Sequence, residues 1–258
     1  MTHLEHPATA PNHDLNIGKR VIVVLFMLTT LLLIGAGLWP SIWLYQRYNE
    51  SVETISGLVV LLLGVLLMFN IGYLIGLLVL RIIIPKHKEG IYPLKLGGKP
   101  PRAAAIMMLN MMMAKLRFAP PWAPIFTASL VVIPPFSTIY RFVFGPNPPI
   151  TTFGDTLKLF DPHLVRVGKR VQFGWGAHIT GHIYDNDKLI IRGVDVEDDA
   201  LIGGDSWLLP GVRVGHHAMV TLGAVVLPNT QIKPYEIWGG VPARKIGDRP
   251  KPKDSTGE

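Results

Sequence analysis

The sequence contains no cysteine and few charged residues, which make up 17% of its 258 positions. Without cysteine, the chain has no disulfide, no thiolate ligand for zinc and no cysteine nucleophile. Soluble domains contain about 25% charged residues, so the low fraction indicates a membrane protein. The apolar excess lies before about residue 145. This compositional break divides the chain into a membrane half and a C-terminal domain.

Acidic residues are fewer than basic ones: the chain contains 18 Asp and Glu and 25 Lys and Arg, which gives a formal net charge of +7. Such a charge is typical of proteins that bind nucleic acid or an anionic membrane surface. No nucleic-acid motif accompanies it, and many of the basic residues flank apolar segments. We therefore expect membrane lipids as partners and no nucleic acid.

Two long uncharged runs, residues 21–38 and 55–80, predict a transmembrane helical hairpin. Each is long enough to cross a hydrocarbon core of about 30 Å as a helix. We expect the helices at about 21–45 and 55–84, preceded by a flexible tail at 1–18.

The basic residues lie before the first predicted helix and after the second. The positive-inside rule then places both termini in the cytoplasm and residues 46–54 outside. The sequence thus predicts a multi-pass protein of the cytoplasmic (inner) membrane whose C-terminal domain faces the cytoplasm.

The rest of the membrane domain, which we assign to residues 19–145, is less regular. Residues 103–116 are apolar but too short to span comfortably, and residues 122–144 are interrupted by Pro134-Pro135. We expect interfacial or re-entrant helices over 103–144. The alternative is that 122–144 spans the membrane and places the C-terminal domain outside.

A six-residue repeat dominates the C-terminal third. From Ile190 the chain divides into nine consecutive units whose first residue is always apolar: Ile190, Val196, Ile202, Leu208, Val214, Val220, Val226, Ile232 and Trp238. The glycines and prolines in these units exclude an amphipathic helix. Three short strands per coil, stacked coil on coil, bury one residue of each unit. We therefore predict an all-β, left-handed parallel β-helix at 150–248, followed by a tail at 249–258.

The repeat is interrupted once. Ile179 and Ile190 are eleven residues apart, where two units need twelve, and the intervening Gly181–Lys188 is polar. A repeat protein that leaves its register commonly does so to present side chains outside the stack. This interruption is where we look for chemistry.

Residues 167–246 resemble the hexapeptide-repeat acyltransferases, the group that contains the maltose, galactoside and colanic-acid O-acetyltransferases. The resemblance depends on the interrupting segment Ile179–Asp185, on Leu222–Val226 within the repeats, and on the closing segment Trp238–Ile246. The joined membrane region is similar to the C-terminal region of polylysine synthetase-type proteins, which are related to nonribosomal peptide synthetases.

The resemblance implies transfer of an acyl group from acetyl-CoA or another acyl-CoA, with no metal. Because the chain has no cysteine, direct attack by the acceptor is the simplest mechanism, and a neutral imidazole is a suitable base near pH 7. His182 lies in the interruption and is our candidate base, with His178 as the alternative. Asp185 is our candidate for the carboxylate that orients the His182 ring.

The same resemblance implies a groove for coenzyme A between the coils of adjacent subunits in a homotrimer. The residues expected to hold the pantetheine arm and the 3′-phosphate are Gly223, Ala224, Gly239, Gly240, Arg244 and Lys245. Trp207 is expected either to line the acceptor site or to serve in packing.

The large membrane half favours an acceptor that is itself membrane-associated, such as a lipid-linked glycan or a lipid headgroup. The alternative is a soluble acceptor, with the helices serving only as an anchor. Two other functions remain open. One is a zinc enzyme like the γ-carbonic anhydrases, which share the β-helix and for which His178, His182 and His217 are conceivable ligands. The other is a non-catalytic trimeric scaffold.

Overall fold

The computed structural model describes residues 13–94, 102–116 and 157–251. Two long helices form the N-terminal part, and a parallel β-helix forms the C-terminal part. A third helix lies between them. The predicted interfacial segment 122–144 lies outside the described residues.

The N-terminal helices are α1 (His13–Tyr48) and α2 (Ile55–Ile83), joined through a short 3₁₀ helix at Asn49–Ser51. Both are long and apolar enough to cross a membrane. The hairpin is therefore confirmed as a pair of helices, although spanning itself stays a prediction. The tail predicted at 1–18 is too long, because α1 begins at His13. Once a helix has formed, each added residue gains a backbone hydrogen bond, so polar residues extend it readily.

Small residues bring α1 and α2 into close contact. A Cβ on Gly72 would collide with the backbone of Ala36, and one on Gly37 would lie 2.8 Å from the ring of Phe69. The Ser41 hydroxyl, which is buried, donates to either of two carbonyls, Gly37 O on its own helix or Val65 O on α2, each at 2.9 Å. Backbone approach at small residues is how apolar helices associate when water does not drive them together.

Helix α3 (Arg102–Leu116) connects the hairpin to the β-helix. Toward its C-terminal end, Met113 and Leu116 pack in a cluster with residues of α1 and α2, and the Tyr73 hydroxyl donates to Leu116 O at 2.6 Å. Near its N-terminal end, Ala104 and Met107 pack against apolar residues of the C-terminal domain. The helix predicted at this position is confirmed, while its location at a membrane interface stays a prediction.

The β-helix has three parallel sheets, and the strands that form its coils enter the three sheets in turn along the chain. The first sheet contains β2 (Lys158–Leu159), β5 (His178–Ile179), β10 (Trp207–Leu208) and β13 (Val225–Val226). The second contains β3 (Val165–Val167), β8 (Val194–Val196), β11 (Arg213–Val214) and β14 (Gln231–Ile232). The third contains β4 (Gln172–Phe173), β9 (Leu201–Ile202), β12 (Met219–Val220) and β15 (Glu236–Gly239), with β16 (Arg244–Asp248) added antiparallel.

The buried interior confirms most of the predicted repeat. The first residue of each unit from Val196 to Ile232 is at most 2% exposed, and the small fifth residues from Ala200 to Ala224 are buried as well, whereas Thr230 is half-buried. Trp238 is partly buried against the same core. Ile190 was wrongly assigned as the first unit, because it lies in an antiparallel hairpin outside the coil and its neighbours Leu189 and Ile191 are the buried residues.

That hairpin is the interruption seen in the sequence. It consists of β6 (His182–Asp185) and β7 (Lys188–Ile191), and β1 (Gly90–Pro93) pairs with β7 on its other side. Coil-to-coil partners such as Asp195 and Arg213 are 18 residues apart, whereas Arg166 and Asp195 are 29 apart because the hairpin is inserted between them. A segment that follows the helices α1 and α2 is thus part of the sheet on which His182 lies.

Candidate active site

A histidine and a buried carboxylate meet where the hairpin β6–β7 leaves the β-helix. His182 is the first residue of β6, and Asp161 immediately precedes the 3₁₀ helix Pro162–Leu164. Their atoms Nδ1 and Oδ2 are 2.6 Å apart. The Asp161 side chain is fully buried, whereas the His182 side chain remains 12% exposed.

Several donors converge on Asp161 Oδ2. Besides His182, the backbone N–H of Gly181 donates to it at 2.9 Å, and the Thr180 hydroxyl lies 3.4 Å away. Hydrogen bonds from backbone amides stabilise the ionised form of a carboxylate. Asp161 is therefore equipped to be the negative partner of an imidazole.

This contact fixes the roles of the two ring nitrogens of His182. An ionised Asp161 only accepts hydrogen bonds, so Nδ1 carries the hydrogen and Nε2 carries the lone pair in the neutral ring. A neutral imidazole with Nε2 unprotonated, next to a carboxylate that stabilises its protonated form, is suited to general-base catalysis.

The expectation that Asp185 orients His182 is wrong, because Asp161 makes that contact instead. Asp185 is at the far end of β6, exposed, and opposite Lys188 across the hairpin turn. Successive side chains on a strand point to opposite faces, so residues three apart on one strand do not share a face. Asp161 gave no periodic signal in the sequence, and the only hint was the turn sequence Asp161-Pro162 just upstream of the repeats.

A second layer of buried polar groups comes from the end of α2 and the segment that follows it. Arg81, in the last turn of α2, is 3% exposed; its Nη1 lies 2.7 Å from Asn110 Oδ1 and 3.0 Å from His163 Nε2. His87 lies in the segment that follows α2, with its Nε2 3.8 Å from Asp161 Oδ1. Neither Arg81 nor His87 stands out in the sequence, because an arginine at a helix end and a histidine in a basic run both look like surface groups.

Burial keeps the two additional histidines of this layer neutral. Burial and the nearby Arg81 together lower the pKa of His163 to about 4. Burial also lowers the pKa of His87, against the opposing attraction of Asp161. Both rings are therefore uncharged near pH 7.

The alternative base, His178, is in a different setting. It lies on the first sheet between Lys158 and Trp207, and its ring stacks on that of Trp207 with centroids 4.0 Å apart. Phe160 continues the stack. Burial lowers the pKa of His178. Its Nδ1 has no hydrogen-bond partner among the described residues, so no carboxylate orients this ring as Asp161 orients His182. For Trp207, the contacts indicate packing in an aromatic stack.

The residues expected at a pantetheine groove lie in the last coils. Gly223 is exposed, with φ of +65° and open space where a side chain would be. Ala224 is fully buried in the core, and its N–H donates to Thr221 O at 3.3 Å. Its carbonyl accepts the Trp207 N–H at 2.8 Å. Ala224 thus has no free N–H for a ligand, whereas Gly223 allows close approach.

The remaining four candidates lie at the C-terminal end of the β-helix. Gly240 is exposed with φ of +92°, and Gly239 is buried beside Thr221. Arg244 is exposed, and among the described residues its side chain bonds only to the adjacent carbonyl of Ala243, at 3.0 Å. Lys245 is paired with Glu236 at 3.3 Å and Asp248 at 2.8 Å, which raises its pKa. Of the two basic residues, Arg244 is therefore the one presented to a phosphate.

The three histidines considered as zinc ligands are not brought together within one chain. His217 lies at a corner of the stack, where its ring packs against Tyr235 and its Nε2 is 3.7 Å from Asp199. Within 13–94, 102–116 and 157–251, no three His, Asp or Glu residues are grouped closely enough to hold one metal ion. A shared site would need ligands from a second chain.

No family model matches the chain. Among curated proteins, it is 51% identical over 62 residues to the mitochondrial gamma carbonic anhydrase 2 of Arabidopsis thaliana, covering 23% of this chain and 22% of the relative. It is 38% identical over 92 residues to the 2,3,4,5-tetrahydropyridine-2,6-dicarboxylate N-acetyltransferase of Staphylococcus aureus strain JH9, covering 35% of this chain and 36% of the relative. The chain thus spans about a fifth to a third of the length of these relatives.

Solved structures similar to the chain include a hexapeptide-repeat acetyltransferase from Vibrio cholerae O1 biovar eltor complexed with acetyl coenzyme A. It shows 17% identity and a TM-score of 0.39, covering 60% of this chain and 92% of the other. A galactoside acetyltransferase in complex with coenzyme A shows 14% identity and a TM-score of 0.37, covering 54% and 82% respectively.

Proposed function

We propose that this protein is a membrane-bound acyltransferase that moves an acetyl or other acyl group from acyl-CoA to a hydroxyl or amine of a membrane-associated acceptor. The observation that carries the proposal is the pair formed by His182 and the buried Asp161, 2.6 Å apart at the interruption of the repeat. Similarity to an N-acetyltransferase over 92 residues supports the same reaction class.

In the proposed reaction, His182 Nε2 takes the proton of the acceptor hydroxyl or amine while the acceptor oxygen or nitrogen attacks the thioester carbonyl carbon. The bond between that carbon and sulfur then breaks. The thiolate of coenzyme A leaves and receives the proton from the imidazolium. Asp161 orients the ring throughout and stabilises its positive charge while the proton is held there.

The position of the site supports an acceptor that comes from the membrane. Arg81 is in the last turn of α2, and His87 reaches Asp161 from the segment that follows. The candidate base therefore lies directly beside the end of the proposed membrane hairpin. A lipid headgroup or a lipid-linked glycan would meet His182 there without leaving the bilayer.

The surface of the hairpin supports its insertion into lipid. Large apolar residues along α1 and α2 are widely exposed, among them Leu32 at 75%, Trp39 at 81% and Ile55 at 84%. Monomeric soluble proteins rarely present such continuous apolar surfaces to water. We place the protein in the cytoplasmic membrane as a multi-pass protein, with the β-helix on the cytoplasmic side, where acyl-CoA is available.

This topology is testable with two single-cysteine variants, since the natural chain has no cysteine. In intact cells, a membrane-impermeant maleimide should label Glu50→Cys in the loop between the helices. It should leave Lys251→Cys unlabelled until the cells are opened. Labelling of Lys251→Cys in intact cells would contradict the proposed topology.

We further propose a homotrimer with acyl-CoA held between adjacent coils. Support comes from the open backbone at Gly223 and Gly240 and from the exposed Arg244. Native mass spectrometry of the detergent-solubilised chain should show trimers, and a purely monomeric population would contradict this assembly.

The catalytic assignment is tested by comparing two histidines under the same conditions. His182→Ala should lower kcat by about 10²–10⁴ while the affinity for acyl-CoA stays near that of the natural protein. His178→Ala is the matched control, because it removes an imidazole of the same β-helix that has no carboxylate partner. A large loss in His178→Ala together with a small loss in His182→Ala would contradict the assignment.

The similarity to a gamma carbonic anhydrase keeps a second candidate function in view, the hydration of carbon dioxide on zinc. It would require histidines of two chains around one metal, because those of a single chain are not brought together. Metal analysis of the purified protein together with a carbon dioxide hydration assay separates the two candidates. Stoichiometric zinc with zinc-dependent hydration would favour this second function over acyl transfer.

A further inference from the structure

The two oxygens of the Asp161 carboxylate differ in their hydrogen bonds. Its Oδ2 receives the His182 ring and the Gly181 N–H, whereas its Oδ1 has no hydrogen-bond partner among the described residues. Both oxygens are shielded from water, since the side chain has no exposed surface. A buried carboxylate oxygen without a donor is unfavourable, so a donor close to Oδ1 is to be expected.

His87 is the group placed to be that donor. Its side chain is 1% exposed, and its Nε2 lies 3.8 Å from Asp161 Oδ1. Neither of its ring nitrogens has a hydrogen-bond partner within the described part of the chain. Two unpartnered, fully buried polar groups therefore face each other across a gap about 1 Å too wide for a hydrogen bond.

Hydrogen bonds of catalytic groups are often long without substrate and shorten when the substrates bind. We propose that His87 is a positioning residue, which donates its Nε2–H to Asp161 Oδ1 and so fixes, from the membrane side, the carboxylate that orients His182. This inference rests on the proposed function, because it assigns His87 a role in the same reaction.

The neighbouring elements favour this arrangement. In α2, Arg81 holds His163 through Nη1, and His163 belongs to the 3₁₀ helix that directly follows Asp161. Among the described residues, the charged and titratable groups that face His87 are Asp161, His182, Arg81 and His163.

Lys86 and His87 also face His163. The end of α2 thus fixes both the turn that carries Asp161 and the segment that carries His87. A movement of the hairpin end would be transmitted to the base through these two contacts.

A first experiment tests the contact without requiring activity. The full-length protein in detergent micelles is labelled with nitrogen-15 histidine, and resonances are assigned by replacing one histidine at a time with Gln. Replacing Asp161 with Asn should shift the ring nitrogens of both His182 and His87, while His216, at a distant corner of the β-helix, stays unchanged. An unchanged His87 resonance beside a shifted His182 resonance would overturn the inference.

A second experiment measures the effect on turnover. His87→Phe preserves a planar ring without a donor, and we expect a loss of about tenfold in kcat with KM for acyl-CoA nearly unchanged. The acid limb of the kcat profile should move to higher pH, because a carboxylate that has lost a donor attracts the His182 imidazolium more strongly. His87→Gln restores a donor and should recover most of the activity and the profile.

The outcomes separate the two proposals. Equal losses in His87→Phe and His87→Gln, with an unshifted pH profile, would assign His87 a packing role and overturn the inference. If His87→Phe does not fold, His87→Gln and the resonance shifts decide the question. Absence of transfer by the natural protein would contradict the proposed function, while the resonance experiment would still decide whether His87 contacts Asp161.

Discussion

Asp161→Asn is the substitution that separates orientation of the base from stability of the fold. The asparagine keeps one acceptor oxygen for His182 Nδ1 and for the Gly181 N–H, but it removes the negative charge. Without that charge, the imidazolium that forms during proton transfer is no longer stabilised, and kcat should fall by about 10²–10⁴. The amide NH2 replaces Oδ1 opposite the neutral His87 ring, which accepts from it in its other tautomer, so the free energy of unfolding should change by about 1 kcal/mol or less.

Asp161→Ala provides the contrasting result. It leaves the buried Gly181 N–H and the His182 Nδ1–H without a partner, each at a cost of about 1–3 kcal/mol. The hydroxyl of Thr180 adds nothing to this sum, because its single proton can be donated to His182 O, 2.9 Å away. We therefore expect Asp161→Ala to be destabilised by about 2–6 kcal/mol, whereas Asp161→Asn stays folded and inactive.

The assay measures kcat for acyl transfer and the thermal midpoint in detergent for both variants and for Asp185→Asn. The last is the matched control, because Asp185 is an exposed carboxylate on the same strand as His182. It should change kcat by no more than about twofold. Loss of activity in Asp185→Asn with retention in Asp161→Asn would refute the assignment of Asp161.

Three further predictions follow from the fold and its buried groups. His163 has a pKa of about 4 when folded and an ordinary value of 6.5, so the unfolded chain binds its proton first and stability falls as the pH drops from about 6.5 toward 4. The free energy of unfolding should fall by about 3 kcal/mol over this range, and by less in His163→Gln. An identical decline of Tm with pH in the natural protein and in His163→Gln would contradict this prediction. Gly72→Ala should lower Tm because the added Cβ would collide with the backbone of Ala36. The matched control Gly35→Ala has free space around its Cβ and should leave Tm unchanged. Equal Tm values for the two variants would show that the helices do not pack closely. Leu208→Ala should lower the free energy of unfolding by about 2–5 kcal/mol, because Leu208 is fully buried. Leu222→Ala should change it little, because Leu222 is 76% exposed. Similar denaturation midpoints for the two variants would contradict the coil register.

The β-helix was predictable because the sequence has an apolar residue at every sixth position. Each coil buries an apolar residue every six positions, so the register from Val196 to Ile232 follows from the apolar pattern alone. Ile190 was misassigned because the hairpin strand β7 contains the apolar run Leu189–Ile191, which also supplies an apolar residue at the expected place. Local pattern does not distinguish a strand that stacks in a coil from one that leaves it.

The candidate site was only half predictable. His182 stood out because it lies where the repeat is interrupted, which is a local feature. Asp161 and His87 reach it from segments about 20 and 95 residues upstream, and such contacts depend on how the chain packs rather than on any spacing. Asp185 was chosen for its closeness in sequence, which on a strand places it at the opposite face.

The most direct test of the account is transfer of label from radiolabelled acetyl-CoA in vesicles that contain the full-length protein and bacterial lipid extract. The proposed function predicts that label appears in a lipid-extractable product with the natural protein, and that the product is nearly absent with His182→Ala. Label transfer that is unaffected by His182→Ala would contradict the role of His182. Absence of transfer in vesicles, together with zinc binding and hydration of carbon dioxide by the same protein, would contradict the proposed reaction.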